Sequence, residues 1–173
     1  MGAGDIRVVS GGYGTREFDV DDRGASGART MLFGEPVKRG GAGFNFATPI
    51  ETGDPENGTD VFVGIPNRDS TETATVDGKI EVLLVGPGTI ITGDATTAAS
   101  IDTAAELLGL MMDYIGFDVS ATSVYTLDED ENGGSHALGL MLVGGDIIRT
   151  RVFAAVQINS TLFGNMRAGG GTV

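Results

Sequence analysis

The chain has 173 residues and 40% apolar content, enough to bury a core of its own without disulfides or metal. Eleven Lys and Arg stand against 24 Asp and Glu, a net charge of −13, and so acidic a surface repels a phosphate backbone, which argues against nucleic acid as a partner. With no Cys and one His, thiol nucleophiles, disulfide scaffolds, Cys-based zinc and iron–sulfur sites and most His-clustered metal centres are excluded.

The N-terminal residues lack the apolar stretch of a secretory signal, and no stretch approaches the ~18 consecutive apolar residues of a membrane span. A soluble chain with no membrane partner is therefore expected. Gly supplies 29 of the residues, far above the ordinary share of about 7%, without a Gly-X-Y period, so it is expected to punctuate turns.

Residues 1–30 combine Gly11-Gly12, Gly24 and Gly27 with two short apolar alternations, Ile6 to Val9 and Phe18 to Val20. So little apolar content cannot build a core alone. The segment reads as an extended arm that orders on a partner, with Ile6, Arg7, Val8, Val9, Tyr13, Phe18 and Val20 as its contact residues.

From residue 31 to 163 the texture is that of a β-rich domain. Short apolar runs predict strands at Thr30–Phe33, Pro36–Lys38, Asn45–Pro49, Asp60–Gly64, Glu72–Val76, Lys79–Val85, Thr89–Ile91, Asp118–Leu127, Ala137–Val143 and Ile147–Ile158. Turn chemistry separates them at Gly40-Gly41, Asp54-Pro55, Asn57-Gly58, Asp77-Gly78, Gly86-Pro87-Gly88 and Asn132-Gly133-Gly134. Asp77-Gly78 is the strongest hairpin signal.

One helix interrupts this rhythm near 102–115. Thr103 and Glu106 stand at capping-box spacing, and Leu107, Leu110, Met111 and Tyr114 fall on one helical face, a stripe that reads as core packing. Residues 164–173 form a Gly-rich tail. The expected fold class is β-rich α+β: mainly β with one amphipathic helix, as a small barrel or sandwich.

Charge is unevenly placed. Residues 1–50 balance six acids with six bases, residues 51–148 carry 18 acids against Arg68 and Lys79, and beyond Asp146 only Arg149, Arg151 and Arg167 are charged. A plain solvated acidic surface is the favoured reading of such blocks; the other is an acidic body turned to solvent with a basic end, at Arg149, Arg151 and Arg167, turned to a partner.

Few residues carry a catalytic signature. His136 has no Gly-x-Ser-x-Gly elbow to serve, and 24 acids make any carboxylate pair uninformative, so no catalytic residue and no enzyme activity is expected. Asp128, Asp130 and Asn132 match the first half of a calcium loop, but its twelfth position is Gly139 and both flanks read as strands; a solvated acidic hairpin loop is the favoured reading, with no metal. Gly40–Gly43 and Gly144-Gly145 lack the strand-to-helix setting of a phosphate loop, and no cofactor is expected.

The order Leu32-Phe33-Gly34-Glu35-Pro36-Val37, Val63-Gly64-Ile65, Asp69 to Ala74, Val76 to Val82 and Gly93-Asp94-Ala95-Thr96-Thr97 resembles the head-decoration, or capsid cement, proteins of tailed bacteriophages. The likeness continues through Ile101-Asp102-Thr103, Tyr125 to Asp128, Gly139 to Asp146 and Val152–Val156, and spans about residues 30 to 163. It implies a tulip-like β domain on the outer capsid surface, made in the host cytoplasm. Its partners would be the major capsid protein and further copies of itself, as a homotrimer or a dimer. It also implies a non-enzymatic role in stabilising the expanded head. The alternatives are another virion module, such as a capsid subunit or a tail or adhesin-like β domain, and, less favoured, a hydrolase on a β scaffold.

Overall fold

A computed structural model describes residues 6–20, 31–39, 46–50, 62–70, 78–121, 124–129 and 140–157. Its elements in chain order are β1 (Arg7–Ser10), β2 (Thr15–Val20), β3 (Val37–Arg39), β4 (Phe46–Pro49), β5 (Phe62–Pro66), β6 (Lys79–Leu84), β7 (Ile90–Asp94), α1 (Ala104–Leu110), β8 (Tyr114–Ala121), β9 (Val124–Asp128), β10 (Leu140–Asp146) and β11 (Arg151–Val156). The expected class holds: the described residues are mainly β with one α-helix.

Two β units share the chain. Strands β2-β4-β3-β5-β6 close a five-stranded barrel, and β1-β7-β11-β10-β8-β9 form a curled six-stranded sheet. The curl brings β9 back to β7, where Ala95 bridges Leu127 and the Thr96 amide donates to the Leu127 carbonyl at 3.0 Å. Closing a sheet on itself leaves fewer open edges to aggregate.

Period-two alternation sets the barrel core. Phe18 and Val20 of β2 and Ile80 and Val82 of β6 point inward with Met31, Val37 and Ala47. β5 serves both units, since Val63 packs on that core while Phe62 and Ile65 join the larger core of the sheet. There the Phe62 and Phe117 rings meet edge to face, with centroids 5.1 Å apart. Gly64 has to be glycine, because a Cβ would lie 2.1 Å from the Leu83 carbonyl oxygen.

Residues 6–20 differ from the expected arm. β1 pairs antiparallel with β7 (Val8 with Ile91), and β2 pairs with β6 from Thr15–Leu83 to Asp19–Lys79 and runs parallel to β4. Ile6, Phe18 and Val20 are buried. Residues 6–20 are thus built into both cores of their own chain, and these three side chains are not free to contact a partner. The physical reason is that sheet neighbours far along the chain supply the apolar surface that the segment itself lacks.

The two crossings between the units run side by side, with the Tyr13 amide donating to the Leu84 carbonyl and the Leu84 amide to the Gly14 carbonyl, and the second bends at a turn. The Thr89 amide donates to the Gly86 carbonyl at 2.9 Å with Pro87 and Gly88 between, and Gly88 has φ of +82°, the geometry of a type II turn. A Cβ at Gly88 would meet nothing within 4 Å, so Gly88→Ala is expected to cost only the left-handed backbone penalty, about 1 kcal/mol. Gly109, in the helix and equally unobstructed, should gain roughly 0.5–1 kcal/mol as alanine, so chemical denaturation of the two variants should move the midpoint in opposite directions.

Three predicted elements are corrected. Thr30–Phe33 is no strand where described: Leu32 to Glu35 turn at Gly34 (φ +84°), and Met31 exchanges hydrogen bonds with Ser70. Asp118–Leu127 is the hairpin β8–β9 rather than one strand. The segment Ile147–Ile158 is a strand only from Arg151, because Asp146 Oδ1 accepts from the amides of Ile148 and Arg149 and folds a turn there. The helix begins as expected, with Thr103 and Glu106 forming a reciprocal capping box, but ends at Leu110. Met112 adopts φ of +73° and hydrogen-bonds Leu142, drawing Asp113 and Tyr114 alongside β10, so a long-range ladder overrides helical periodicity. Leu107, Leu110 and Met111 do pack on the larger core.

The predicted strand Glu72–Val76 and the turn residues Gly40-Gly41, Asp54-Pro55, Asn57-Gly58, Asp77 and Asn132 to Gly134 lie outside the described residues, as does the 164–173 tail.

Candidate functional site

β1 stands at one edge of the curled sheet, hydrogen-bonded to β7, and exposes Arg7, Val9 and Ser10 while Val8 turns half inward. Tyr13 follows in the crossing to the barrel. Its amide donates to the Leu84 carbonyl, its hydroxyl donates to the Pro87 carbonyl at 2.8 Å, and its ring lies against Gly86, where a Cβ would approach it to 2.9 Å. Val9 and Tyr13 are both more than half exposed. An apolar side chain and a fixed aromatic beside an edge strand are the elements of β-strand addition, in which main-chain bonds bind and neighbouring side chains select.

Of the seven arm residues, the fold therefore leaves Arg7, Val9 and Tyr13 exposed and places Ile6, Phe18 and Val20 inside. Arg16, exposed on β2, stacks over the Phe18 ring with 5.0 Å to its centroid.

The basic residues are positioned by acids close to them. Arg151 Nε lies 3.2 Å from Asp94 Oδ1 across the β7–β11 register, and Arg149 lies 3.5 Å from Asp146 at the turn after β10. Arg167 lies outside the described residues, as do Asp130, Asn132 and His136. Asp128 ends β9. Among the described residues no group of three or more His, Cys, Asp or Glu side chains is placed to hold a metal.

The acidic run holds one residue that the sequence reading missed. Glu129, taken as part of a solvated loop, is fully buried, and its two carboxylate oxygens accept from the amides of Thr96 and Thr97, each at 2.9 Å. The pair fastens the end of β9 to the segment leading from β7 to the 3-10 turn Ala98–Ser100. No local signal separates Glu129 from its acidic neighbours; only the closing of β9 onto β7 buries it. Glu35 is a second buried acid, its carboxylate accepting from the Leu32 amide at 3.0 Å to brace the turn before β3.

At the start of α1 the Thr103 hydroxyl, together with Asp102, holds the Glu106 carboxyl below its usual range, and the shared hydrogen bond and charge of Glu106 push Asp102 up. Lys79, bonded to Asp19, is raised. These are surface pairs of modest energetic weight.

Compared with known proteins, the chain matches no family model and no curated sequence.

Proposed function

We propose that the chain is a non-enzymatic capsid decoration protein. In this reading it is a β-rich domain that binds the outer surface of a phage head and holds the expanded shell together. The observation that carries it is the edge strand β1 with Val9 and Tyr13 exposed beside it, in a chain whose turn and strand phrases resemble that family. A capsid subunit that offers an extended segment at that edge would gain main-chain hydrogen bonds to β1 and a contact on the two side chains. Stabilisation is then mass action: a ligand that binds the assembled shell better than its separated subunits shifts the balance toward the shell, and many equivalent sites multiply a modest affinity.

The test is co-sedimentation of the purified protein with mature-sized phage heads that lack it. Saturable binding at a fixed ratio to the capsid subunit is the expected result, and absence of binding at micromolar concentration overturns the reading. Removal of residues 1–30 is uninformative, since it takes β2 out of the barrel. Val9→Lys, a charge on the open edge, should instead weaken binding at least about tenfold while the thermal melt stays unchanged.

A further inference from the structure

The barrel and the curled sheet are laid out alike. Around the barrel the strands follow the order β2-β6-β5-β3-β4, with β4 returning parallel to β2; around the sheet they follow β7-β11-β10-β8-β9, with β9 returning parallel to β7 at the Ala95–Leu127 bridge, and the other pairings of both rings are antiparallel. The registers agree as well. The pairs Asp19–Lys79, Val20–Ala47, Ala47–Arg39, Val37–Gly64 and Gly64–Leu84 of the first ring correspond to Asp94–Arg151, Ala95–Leu127, Leu127–Phe117, Ile115–Leu140 and Leu140–Val156 of the second, with the same spacing along each strand. The turns follow suit: the amide of Gly34 (φ +84°) donates to the Pro66 carbonyl as that of Met112 (φ +73°) does to Leu142, and the Tyr13 amide donates to Leu84 as the Gly88 amide does to Val156. The chain is one five-stranded unit built twice.

The two units differ in how one core position is filled. In the first, Phe18, next to Asp19, fills the core together with the small Ala47. In the second the corresponding residues are Gly93 and Leu127, and the space above Gly93 is taken by Ile6, whose Cδ1 lies 2.4 Å from where a Cβ of Gly93 would stand. Ile6 and the half-buried Val8 reach this core from outside the unit. Their strand, β1, lies along Ile90–Thr92 at the edge of the sheet, on the side of β7 away from β11, and no strand of the first unit corresponds to it among the described residues. Its link to β2 is Gly11-Gly12-Tyr13-Gly14, with left-handed φ at Gly11 and Gly14.

We propose that the second unit is a strand-acceptor site and that β1 is its ligand, held in cis. The seat along β7 takes an extended segment with apolar side chains two residues apart, the first of which fills the place that Phe18 fills in the first unit. Main-chain bonds to Ile90–Thr92 carry the affinity, and the missing side chain at Gly93 admits the ligand's. The short glycine-rich link keeps β1 beside its seat at high effective concentration, so a modest intrinsic affinity holds it there, and a foreign segment of the same pattern competes for the seat. The site lies beneath β1 rather than on its outer edge and does not depend on the decoration reading.

The experiment places a specific protease site between Gly11 and Gly12 of the full chain, cleaves it, and follows residues 1–11 by gel filtration and by exchange with a labelled synthetic peptide of the same sequence. The fragment should stay with the body, and the labelled peptide should replace it saturably with a Kd of about 10 µM or tighter. An Ile6→Ala peptide should bind at least about tenfold more weakly, and a Val9→Ala peptide equally well. Gly93→Ala in the body should weaken the native peptide at least about tenfold, and should weaken less an Ile6→Val peptide, which lacks the Cδ1 that the new methyl meets. A fragment that leaves on cleavage and does not rebind, a cleaved chain that loses its β spectrum, exchange only after denaturation, or peptide binding indifferent to Ile6 and Gly93 would each overturn the proposal.

Discussion

Replacing Ile6 by alanine is expected to lower the unfolding free energy of the isolated chain by about 3 kcal/mol, and Ile6→Val by about 1 kcal/mol. Ile6 is fully buried in the larger core, and its Cδ1 occupies the space above Gly93, where even a Cβ would come within 2.4 Å. Truncation removes the transfer free energy of the lost methyl and methylene groups and leaves a cavity beside Leu127 that the closed sheet cannot readily collapse. For a chain of this size, about 3 kcal/mol corresponds to a fall in Tm of roughly 6–12 °C. Val9→Ala, at an exposed position on the same strand, should stay within about 0.5 kcal/mol. Thermal or denaturant unfolding of the chain alone decides the matter. An arm held only by a partner would leave the Ile6→Ala melt at the wild-type value, and that result would remove β1 from the monomer.

Glu129→Ala should cost at least as much, about 3 kcal/mol, and Glu129→Gln about 2 kcal/mol. The carboxylate is an acceptor at both oxygens, and each faces a backbone amide. Alanine leaves the Thr97 amide without this acceptor, while the Thr96 amide keeps the Leu127 carbonyl. Glutamine retains one acceptor but turns a donor toward the other amide, so it restores only part of the loss. Hydrogen exchange gives the specific readout: the Thr97 amide should exchange faster in both variants. Protection at Thr97 unchanged from wild type would contradict the role assigned to Glu129, whatever the global stability.

These two residues also mark how far a linear reading reaches. Ile6 lies in a short, Gly-flanked alternation, and Glu129 in an acidic run; by composition the first belongs to an arm and the second to solvent. Their burial follows from strand neighbours distant in the chain, Ile90–Thr92 for β1 and Ala95–Thr97 for the end of β9. Of the candidate contact residues, Val9 and Tyr13 keep the exposure expected of them, whereas Phe18 and Val20 close the barrel.

Local chemistry was readable wherever a few consecutive residues suffice. The Gly86-Pro87-Gly88 turn needs only a proline of fixed φ followed by a residue that tolerates positive φ, and the Thr103–Glu106 box needs only two side chains three residues apart. The β-rich class followed from the same short signals, repeated along the chain. Pairing across long separations carries no such mark. The parallel contact of β2 with β4, the closure of β9 on β7 and the early end of α1 before Met112 are each set by which surfaces meet. Those meetings are selected by burial and main-chain hydrogen bonding summed over the whole fold, so residues of the same type in neighbouring positions end inside or outside according to where the sheets close.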